Sequence, residues 1–349
     1  MMRLTPTSLA TRFAAPLVLL ALLSLARPAA AQQGGLASEC VGAVVLAQDV
    51  CQKSADIFNL VAPQLGPGIA GGNAVFGGEG ALGRTGAWSI GVRANFVRGR
   101  LPRLDGISLS GSGAESTDFS TAEPYVPIPT ADVAVGLFGG VPLVGGIRLG
   151  ALDALGSVSY VPDYDDANVS VRATDRSVQF GYGARLGLVQ ESTLIPGLAV
   201  TYLRRDLPRT ELVGRVSATP GGPLDDTLGV SGLRTETQAW RVVASKRLAM
   251  LGIAVGGGED RYSSRASLRG VLNEGPIHLE TTGFEFRQSL TRTSYFADLS
   301  LHLPLLTLVA EVGQASGGSV PHSFNSFDGS FAAAEETVAF GAVGVRLKF

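Results

Sequence analysis

Charge, cysteine and long apolar runs are all scarce in this sequence. Charged residues make up 17% of its 349 residues and the formal net charge is −2, whereas a typical soluble domain has about 25% charged residues. This balance excludes a broadly basic nucleic-acid-binding protein, so we expect no nucleic-acid partner. Beyond residue 31 the sequence has no apolar run of about 18 residues, which argues against a bundle of transmembrane helices. Because 45% of the residues are hydrophobic, a disordered chain is also disfavoured.

The first residues have the form of a secretory leader. Arg3 and Arg12 accompany an apolar run from Phe13 to Leu25, and Ala29-Ala30-Ala31 supplies the small residues that signal peptidase recognises. The run is too short for a transmembrane helix, which needs about 20 residues. We therefore predict a signal peptide over residues 1–31, cleaved before Gln32. An uncleaved helical anchor is the alternative.

Apolar residues recur at every second position through much of the remaining sequence. Successive side chains of a β-strand point to opposite faces, so this period predicts strands. One face is apolar, while the other carries mainly Gly, Ser and Ala with isolated charges, which suits a crowded interior better than a solvated surface. The pattern favours a membrane barrel, with a soluble all-β domain as the alternative. It is clearest in five segments: 88–96, 178–188, 239–245, 295–303 and 343–349.

The connections between these segments alternate between short and long. The short ones lie at 139–145, 191–196, 249–250 and Pro304, and the long ones at 99–130, 161–176, 206–230, 262–283 and 314–335. We predict an all-β fold over residues 86–349: a transmembrane, antiparallel, up-and-down β-barrel of about ten strands, closed because open sheet edges are costly in lipid. The segments around Leu212-Val213 and Leu268–Val271 could add hairpins, so twelve strands is the alternative.

The leader, the alternating strands and the C-terminal pattern resemble bacterial outer-membrane β-barrel proteins. In that family alternating apolar residues ending in an aromatic residue are read by the barrel assembly machinery, which implies this role for Val345, Leu347 and Phe349, with Val343 before them. The resemblance also implies a location in the outer membrane of a Gram-negative-type bacterium, after signal cleavage, with outer-membrane lipid around the barrel. A fainter resemblance to long-chain fatty-acid transporters of the outer membrane rests on the N-terminal segment, which plugs the barrel in that family.

Residues 32–85 do not alternate and form a separate N-terminal segment, either periplasmic or a plug. Apolar residues at helical spacing predict a short amphipathic helix over Asp49–Val61, closed by Pro63. A Gly-rich stretch over residues 64–78 follows. We predict that it enters or caps the lumen from the periplasmic side, and a disordered periplasmic linker is the alternative.

Cys40 and Cys51 are the only two cysteines. In an oxidising periplasm such a pair favours a disulfide. An unbroken helix would hold the two Cα atoms about 16 Å apart, so pairing requires the chain to turn back. We place that turn near Ala47-Gln48.

Isolated charged residues fall on the predicted inward faces of the strands. Unpaired charge in a narrow interior is costly, so a structural network of salt bridges is one interpretation. A selectivity or docking surface for an anionic ligand or for the plug is the other. The candidate lumen residues are Arg93, Arg185, Arg241 and Arg346, with Asp298 and Glu311 as the candidate acids.

Candidate catalytic residues are few. The three histidines are His278, His302 and His322, and no G-x-S-x-G motif is present, so we expect no enzymatic activity, no cofactor and no metal. A ten-stranded barrel is narrow compared with porins, which use about 16–18 strands. We therefore expect a narrow, plugged transporter or channel for a small molecule, apolar molecules included. A structural or adhesion barrel acting through its external loops is the alternative.

Overall fold

The structure, a computed structural model, describes residues 34–78, 80–104, 107–143, 147–161, 163–165, 169–217, 225–274, 277–321, 323–331 and 336–349. The predicted signal peptide and His322 lie outside these residues. Within them one helix is found, α1, at Val45–Ala70. No described helix combines the length and the apolar character needed to cross a membrane.

Ten long strands form the wall of the molecule. Each pairs antiparallel with its neighbours along the chain, and the first pairs with the last from Ser89 with Lys348 to Val97 with Phe340, so the sheet closes on itself. The prediction of an up-and-down barrel with ten strands is confirmed. The strands are β1 (Trp88–Arg98), β2 (Tyr125–Phe138), β3 (Arg148–Tyr160), β4 (Val178–Val189), β5 (Gly197–Asp206), β6 (Asp226–Leu248), β7 (Leu251–Glu274), β8 (Ile277–His302), β9 (Thr307–Ser316) and β10 (Val338–Lys348).

The outer face of this wall carries a continuous apolar band. On β8 the outward residues from Tyr295 to Leu303 are apolar, close to the ~9–11 residues that a transmembrane strand needs. Further along β8 the outward positions become charged, as at Glu285 and Arg287. Aromatic residues lie near the band's edges, where Trp88 stacks on Phe349 with ring centroids 4.1 Å apart. The band is the lipid-facing surface of a transmembrane barrel.

Three wall strands, β6, β7 and β8, continue far beyond the apolar band. The segment 262–283, predicted as a long loop, is instead part of one hairpin made by β7 and β8. Its inward side chains stay buried, as at Leu268 and Leu272, whereas its outward Ser and Arg residues gave it the composition of a loop.

The two segments considered as extra barrel hairpins lie elsewhere in the fold. Leu268–Val271 lies within β7, and Leu212-Val213 lies in a short strand that pairs with the extended part of β6. Neither adds a strand to the ring. The short strands outside the ring are Leu101–Pro102, Asp118–Phe119, Thr121–Ala122, Val141–Pro142, Tyr164–Asp165, Val169–Ala173, Thr210–Val216, Ser326–Phe327 and Ser330–Phe331.

The two ends of the barrel differ. We call the end with the short connections the turn end and the end with the long ones the loop end. At the loop end the long connections pack over the mouth around a buried apolar cluster, in which Phe119 lies against Phe327 with ring centroids 5.2 Å apart, and Phe58 lies 5.8 Å from Phe286. The mouth at the loop end is therefore covered by folded protein.

Helix α1 lies inside the barrel and is longer than predicted. It does not end before Pro63 but continues through Pro63 and Pro67 to Ala70, although each proline removes one backbone N–H. The carbonyls that lose their usual donor are those of Asn59 and Pro63. The Gln64 side chain adds a separate contact nearby, because its Nε2 donates a hydrogen bond to the Leu60 carbonyl at 2.6 Å. Burial on nearly every face of the helix stabilises it beyond the point where the proline signal predicts its end.

The N-terminal segment runs through the whole lumen. The first part of α1 packs under the loop-end cluster, where Val50 faces Gly270. Residues 71–78 and 80–83 continue to the turn end, where Gly83 lies beside Gln190 and β1 follows. The sequence predicts that residues 64–78 enter or cap the lumen from one side. The segment instead spans the barrel from the loop end to the turn end. We call residues 45–83 the plug.

Candidate functional site in the barrel lumen

A disulfide fixes the start of the plug. Cys40 and Cys51 are both fully buried, with sulfur atoms 2.02 Å apart and Cα atoms 5.6 Å apart. The chain turns back across residues 38–43, before α1 begins, whereas Ala47-Gln48, the predicted turn, lies in the first turn of α1. The disulfide therefore joins the chain preceding the plug to the helix itself.

Buried polar contacts connect the loop-end part of α1 to two of the long connections between strands. Lys53 and Asp49 form a buried ion pair at 2.7 Å, and Asp49 also accepts hydrogen bonds from the backbone N–H of Ser110 and Glu115. Asp56 accepts two hydrogen bonds from Asn325, from the backbone N–H and the side-chain amide. The loop-end cover and the plug are thus held together by charge-assisted hydrogen bonds.

The chain leaves α1 through a turn at residues 70–73, which we call the 70–73 turn. Gly71 has φ +63°, a left-handed conformation that suits glycine at a helix end. The carbonyl end of a helix carries partial negative charge, and here it meets three wall arginines. Arg205 donates to Ala70 O at 2.7 Å, Arg241 to Gly71 O at 2.8 Å and Gly72 O at 3.2 Å, and Arg93 to Asn73 O at 2.9 Å.

The donors of the same turn meet two wall carboxylates. Glu311 accepts the backbone N–H of Gly72 at 2.9 Å and that of Asn73 at 2.6 Å. Asp298 accepts the Asn73 side-chain amide at 2.7 Å. The wall therefore supplies a charged partner for both the acceptors and the donors of this turn.

All six predicted lumen residues are buried in the interior: Arg93, Arg185, Arg241, Arg346, Asp298 and Glu311. The ion pairs, however, differ from the expected ones. The carboxylates that pair with the arginines are Asp132, at 3.0 Å from Arg93, Asp153, at 2.7 Å from Arg185, and Asp260, which forms two bonds with Arg241. Asp298 and Glu311, the predicted acids, instead bind the plug.

Four lumen residues were missing from the sequence prediction: Arg205, Asp132, Asp153 and Asp260. Arg205 lies on the plug side of β5 and also pairs with Asp132 at 2.6 Å. The period-two pattern of the sequence places these residues on the inward face. Each lies at the same alternating position as small or buried neighbours on its strand, as Asp153 does with Ala151 and Leu155. Extending the period-two argument to every strand would have identified them.

The part of the plug between the 70–73 turn and the turn end, which we call the lower plug, fills the remainder of the lumen. Phe76 lies beneath the Arg93 guanidinium, 5.3 Å from ring centroid to carbon. Leu82 N donates to Asp153 and Gly80 N donates to Ser245 Oγ at 3.0 Å. The two voids found beside this part of the plug hold about 10 Å³ each, roughly the space of one water molecule. The plug thus occupies most of the space beside these wall residues.

Wall glycines allow the plug backbone to approach closely. A Cβ atom on Gly136 would lie 2.2 Å from the Arg84 carbonyl oxygen, and one on Gly187 would lie 2.7 Å from Ala81. The small residues on the inward faces therefore make room for the plug.

The histidines and acids do not assemble into a recognisable reactive centre in the described residues. His278 Nδ1 lies 2.6 Å from Asn273 Oδ1, and His302 lies between Ser300 and Thr307 at 3.2 and 3.3 Å. No group of three or more metal-ligating side chains is found among the described residues.

The C-terminal residues predicted as an assembly signal lie on the outer face of β10 and at its end. Val345, Leu347 and Phe349 are all exposed. Phe349 is bound to Trp88 by two backbone hydrogen bonds of 2.8 and 3.1 Å, in addition to the ring stacking. Their recognition by an assembly machinery stays a prediction.

No protein-family model matches the sequence, and no curated protein matches it. Several solved structures are similar. The translocator domain of autotransporter NalP from Neisseria meningitidis is 11% identical with a TM-score of 0.39, over 76% of this chain and 89% of that one. Ail, the attachment invasion locus protein of Yersinia pestis, is 9% identical with a TM-score of 0.28, over 76% of this chain and all of that one. An anion-selective porin from Comamonas acidovorans is 9% identical with a TM-score of 0.17, over 76% and 98%.

Similarity at this level assigns no function. The comparisons do not support the fainter resemblance to long-chain fatty-acid transporters. The architecture rests on the structure itself: an even ring of antiparallel strands, an outward apolar band, and short connections at one end with long ones at the other. The chain has the fold of an outer-membrane β-barrel protein.

Proposed function

We propose that this protein is an outer-membrane barrel whose lumen is closed at rest by the plug and conducts a small molecule when the plug shifts. The barrel lies in the outer membrane of a Gram-negative-type bacterium after removal of residues 1–31, with the loop end outside and the turn end in the periplasm. It is surrounded by outer-membrane lipid and inserted by the barrel assembly machinery. It has no enzymatic role.

The observation that carries the proposal is the polar attachment of the 70–73 turn. Its carbonyl and N–H groups are bound by charged wall side chains, and the segment that follows it toward the turn end is rich in glycine, with positive φ angles at Gly77, Gly80 and Gly83. Hydrogen bonds of this kind can exchange with water or with a polar solute, whereas an apolar core does not exchange in this way. A polar, glycine-rich closure suits a movable plug better than a permanent filling.

Conductance across planar bilayers tests this proposal. We expect the wild-type barrel to open rarely. The double variant Asn73→Ala/Phe76→Ala loses the contact with Asp298 and the ring beneath Arg93 while leaving the wall intact. Because a hydrogen bond to a charged group contributes about 1.5–3 kcal/mol, the open time should rise about tenfold or more.

The matched control is Val312→Ala, on the lipid-facing side of β9, which should conduct as the wild type does. If the double variant fails to fold, as judged by the heat-dependent mobility of the barrel on a gel, Asn73→Ala alone replaces it. A folded variant that conducts no more than the wild type would contradict the movable plug.

The loop-end cover favours a second candidate function, a structural or adhesion barrel. Its observation is that the connections are tied to one another: Asp118 accepts hydrogen bonds from Ser326 Oγ at 2.6 Å and Gly329 N at 2.9 Å. Such order on the outside suits a surface that binds a partner. Replacing residues 317–331 by a short Gly-Ser linker should then abolish attachment of expressing cells to surfaces.

A further inference from the structure

A cavity of about 400 Å³ lies at the loop end, between the middle of α1 and the outer ends of the wall strands. From the helix it is lined by Leu60, Pro63 and Gln64, and from the wall side by Arg98, Arg100 and Arg292. Its volume falls in the range of about 300–1,000 Å³ that is usual for small-molecule sites. It is separate from the voids beside the lower plug.

The lining has an excess of positive charge. Arg98 is paired with Glu123 at 2.5 Å, but both side chains are more than half exposed, so this pair is weak. Arg100 and Glu336 are 3.7 Å apart, and Glu336 is more than half exposed. Arg292 is 1% exposed and its Nη1 donates to the Glu336 carbonyl at 3.1 Å. Three guanidinium groups thus face a space that holds two partly solvated carboxylates.

Arg100 has hydrogen-bonding capacity to spare. Its Nη1 donates to Ser330 Oγ at 3.1 Å, whereas its Nε and Nη2 are buried and have no hydrogen-bond partner among the described residues. These two atoms have almost no accessible surface, so they reach an anion only when the side chain turns toward it. Leaving a buried donor without a partner is costly, which favours that turn. The planar guanidinium matches the two oxygen atoms of a carboxylate or a phosphate.

We propose that this cavity binds a small organic anion, a carboxylate or phosphate with a short apolar portion. The anionic oxygens bind Arg100, with Arg98 and Arg292 contributing positive charge, and the apolar portion lies on Leu60 and Pro63. Occupancy of the cavity does not require the plug to move, so the binding proposal is independent of the proposed conduction.

The site is connected to the plug through Gln64. Its Oε1 accepts the Arg100 backbone N–H at 2.5 Å, and its Nε2 donates to the Arg100 carbonyl at 2.9 Å. An anion bound at Arg100 therefore touches a chain segment that is hydrogen-bonded directly to α1.

Calorimetric titration of the intact, purified barrel with hexanoate and with hexyl phosphate tests the site, with hexanol as the uncharged comparison. We expect at least one of the two anions to bind saturably, with a Kd in the millimolar range or tighter, and hexanol not to bind. Arg100→Gln should weaken anion binding tenfold or more. Arg287→Gln, which removes an exposed arginine on β8 away from the cavity, should leave it unchanged.

If Arg100→Gln fails to fold, the exposed Arg98→Gln takes its place and should weaken binding several-fold. A wild-type barrel that binds neither anion would overturn the proposal, because water alone then satisfies Arg100. Equal binding by a folded Arg100→Gln variant, or hexanol binding as tightly as the anions, would overturn it as well.

Discussion

At the scale of single residues, the lumen depends on positions where no side chain fits. A Cβ atom on Gly72 would lie 2.6 Å from the Phe296 ring and 2.7 Å from the Glu311 carboxylate. Both neighbours are buried in the wall. Glycine at this position lets the plug backbone reach the carboxylate that binds it.

Gly72→Ala should therefore destabilise the folded barrel by about 1–3 kcal/mol, the usual range for overpacking a buried site. The measurement is the temperature at which the barrel loses its β-sheet circular dichroism. Gly42→Ala is the matched control, since nothing lies within 4 Å of a Cβ atom there. Equal melting temperatures for the two variants would contradict the close approach at Gly72.

The stability of the loop-end contacts around Asp118 depends on pH. Hydrogen bonds from Ser326 Oγ and Gly329 N hold the pKa of Asp118 below its ordinary value of 3.8. Since the pKa is lower in the folded state, the contact adds stability above the unfolded value and loses it as the pH falls through the folded value. The protection of the Gly329 amide against hydrogen exchange should accordingly fall below pH 3.8.

The variant Asp118→Asn isolates this effect. It should lower the protection of the Gly329 amide at neutral pH and remove the additional loss in acid. The variant Asp175→Asn, at an exposed ion pair elsewhere in the loops, should keep the wild-type profile. A profile that is unchanged in Asp118→Asn would show that another group is responsible.

At the scale of elements, α1 shows how surroundings override local preference. Two prolines interrupt its backbone hydrogen bonding, and the Gln64 side chain connects the helix to the chain after β1 through hydrogen bonds with Leu60 and Arg100. The helix has no solvent-facing side over most of its length. Its stability comes from tertiary packing more than from the preferences of its residues.

Gln64→Ala should loosen the middle of α1 by about 1–3 kcal/mol, because it leaves buried backbone groups without partners. The expected result is faster hydrogen exchange at residues 60–64, with the β1–β10 pairing unchanged. Gln48→Ala, at a partly exposed position on the same helix, should leave exchange at those residues as in the wild type. Unaltered exchange in Gln64→Ala would rule out the bridging role of this side chain.

The ring of strands could be predicted from the sequence because alternation and connection length are local properties. The length of α1 could not, because Pro63 marks a helix end in isolation and only the enclosing wall reverses that preference. The part of the β7–β8 hairpin at residues 262–283 has the composition of a loop because its outward Arg and Ser residues meet water beyond the membrane. The contacts of the 70–73 turn escaped prediction because they bind backbone atoms, which every residue has.

At the scale of the whole molecule, the plug places the early part of the chain at the loop end, opposite to the start of β1. Gly34 N donates to Ser323 O at 2.9 Å within the loop-end cover. The short connection at Leu194, which is 90% exposed, lies at the other end.

This arrangement predicts a labelling asymmetry in intact cells. The variant Gly35→Cys, at an exposed position with no atom within 4 Å of its Cβ, should react with a membrane-impermeant maleimide added from outside. The variant Leu194→Cys should react only after the outer membrane is permeabilised. The reverse pattern would invert the proposed orientation of the barrel.

The location of α1 within a wall sealed by β1 and β10 also constrains biogenesis. Nearly every face of the helix is in contact with the wall, so a completed ring offers no route by which it could be threaded afterwards. We expect the strands to close around the helix, with the pairing from Ser89 with Lys348 to Val97 with Phe340 joining the first strand to the last. We therefore expect the N-terminal segment to act as a scaffold while the strands assemble, so that the plug is enclosed when the barrel closes.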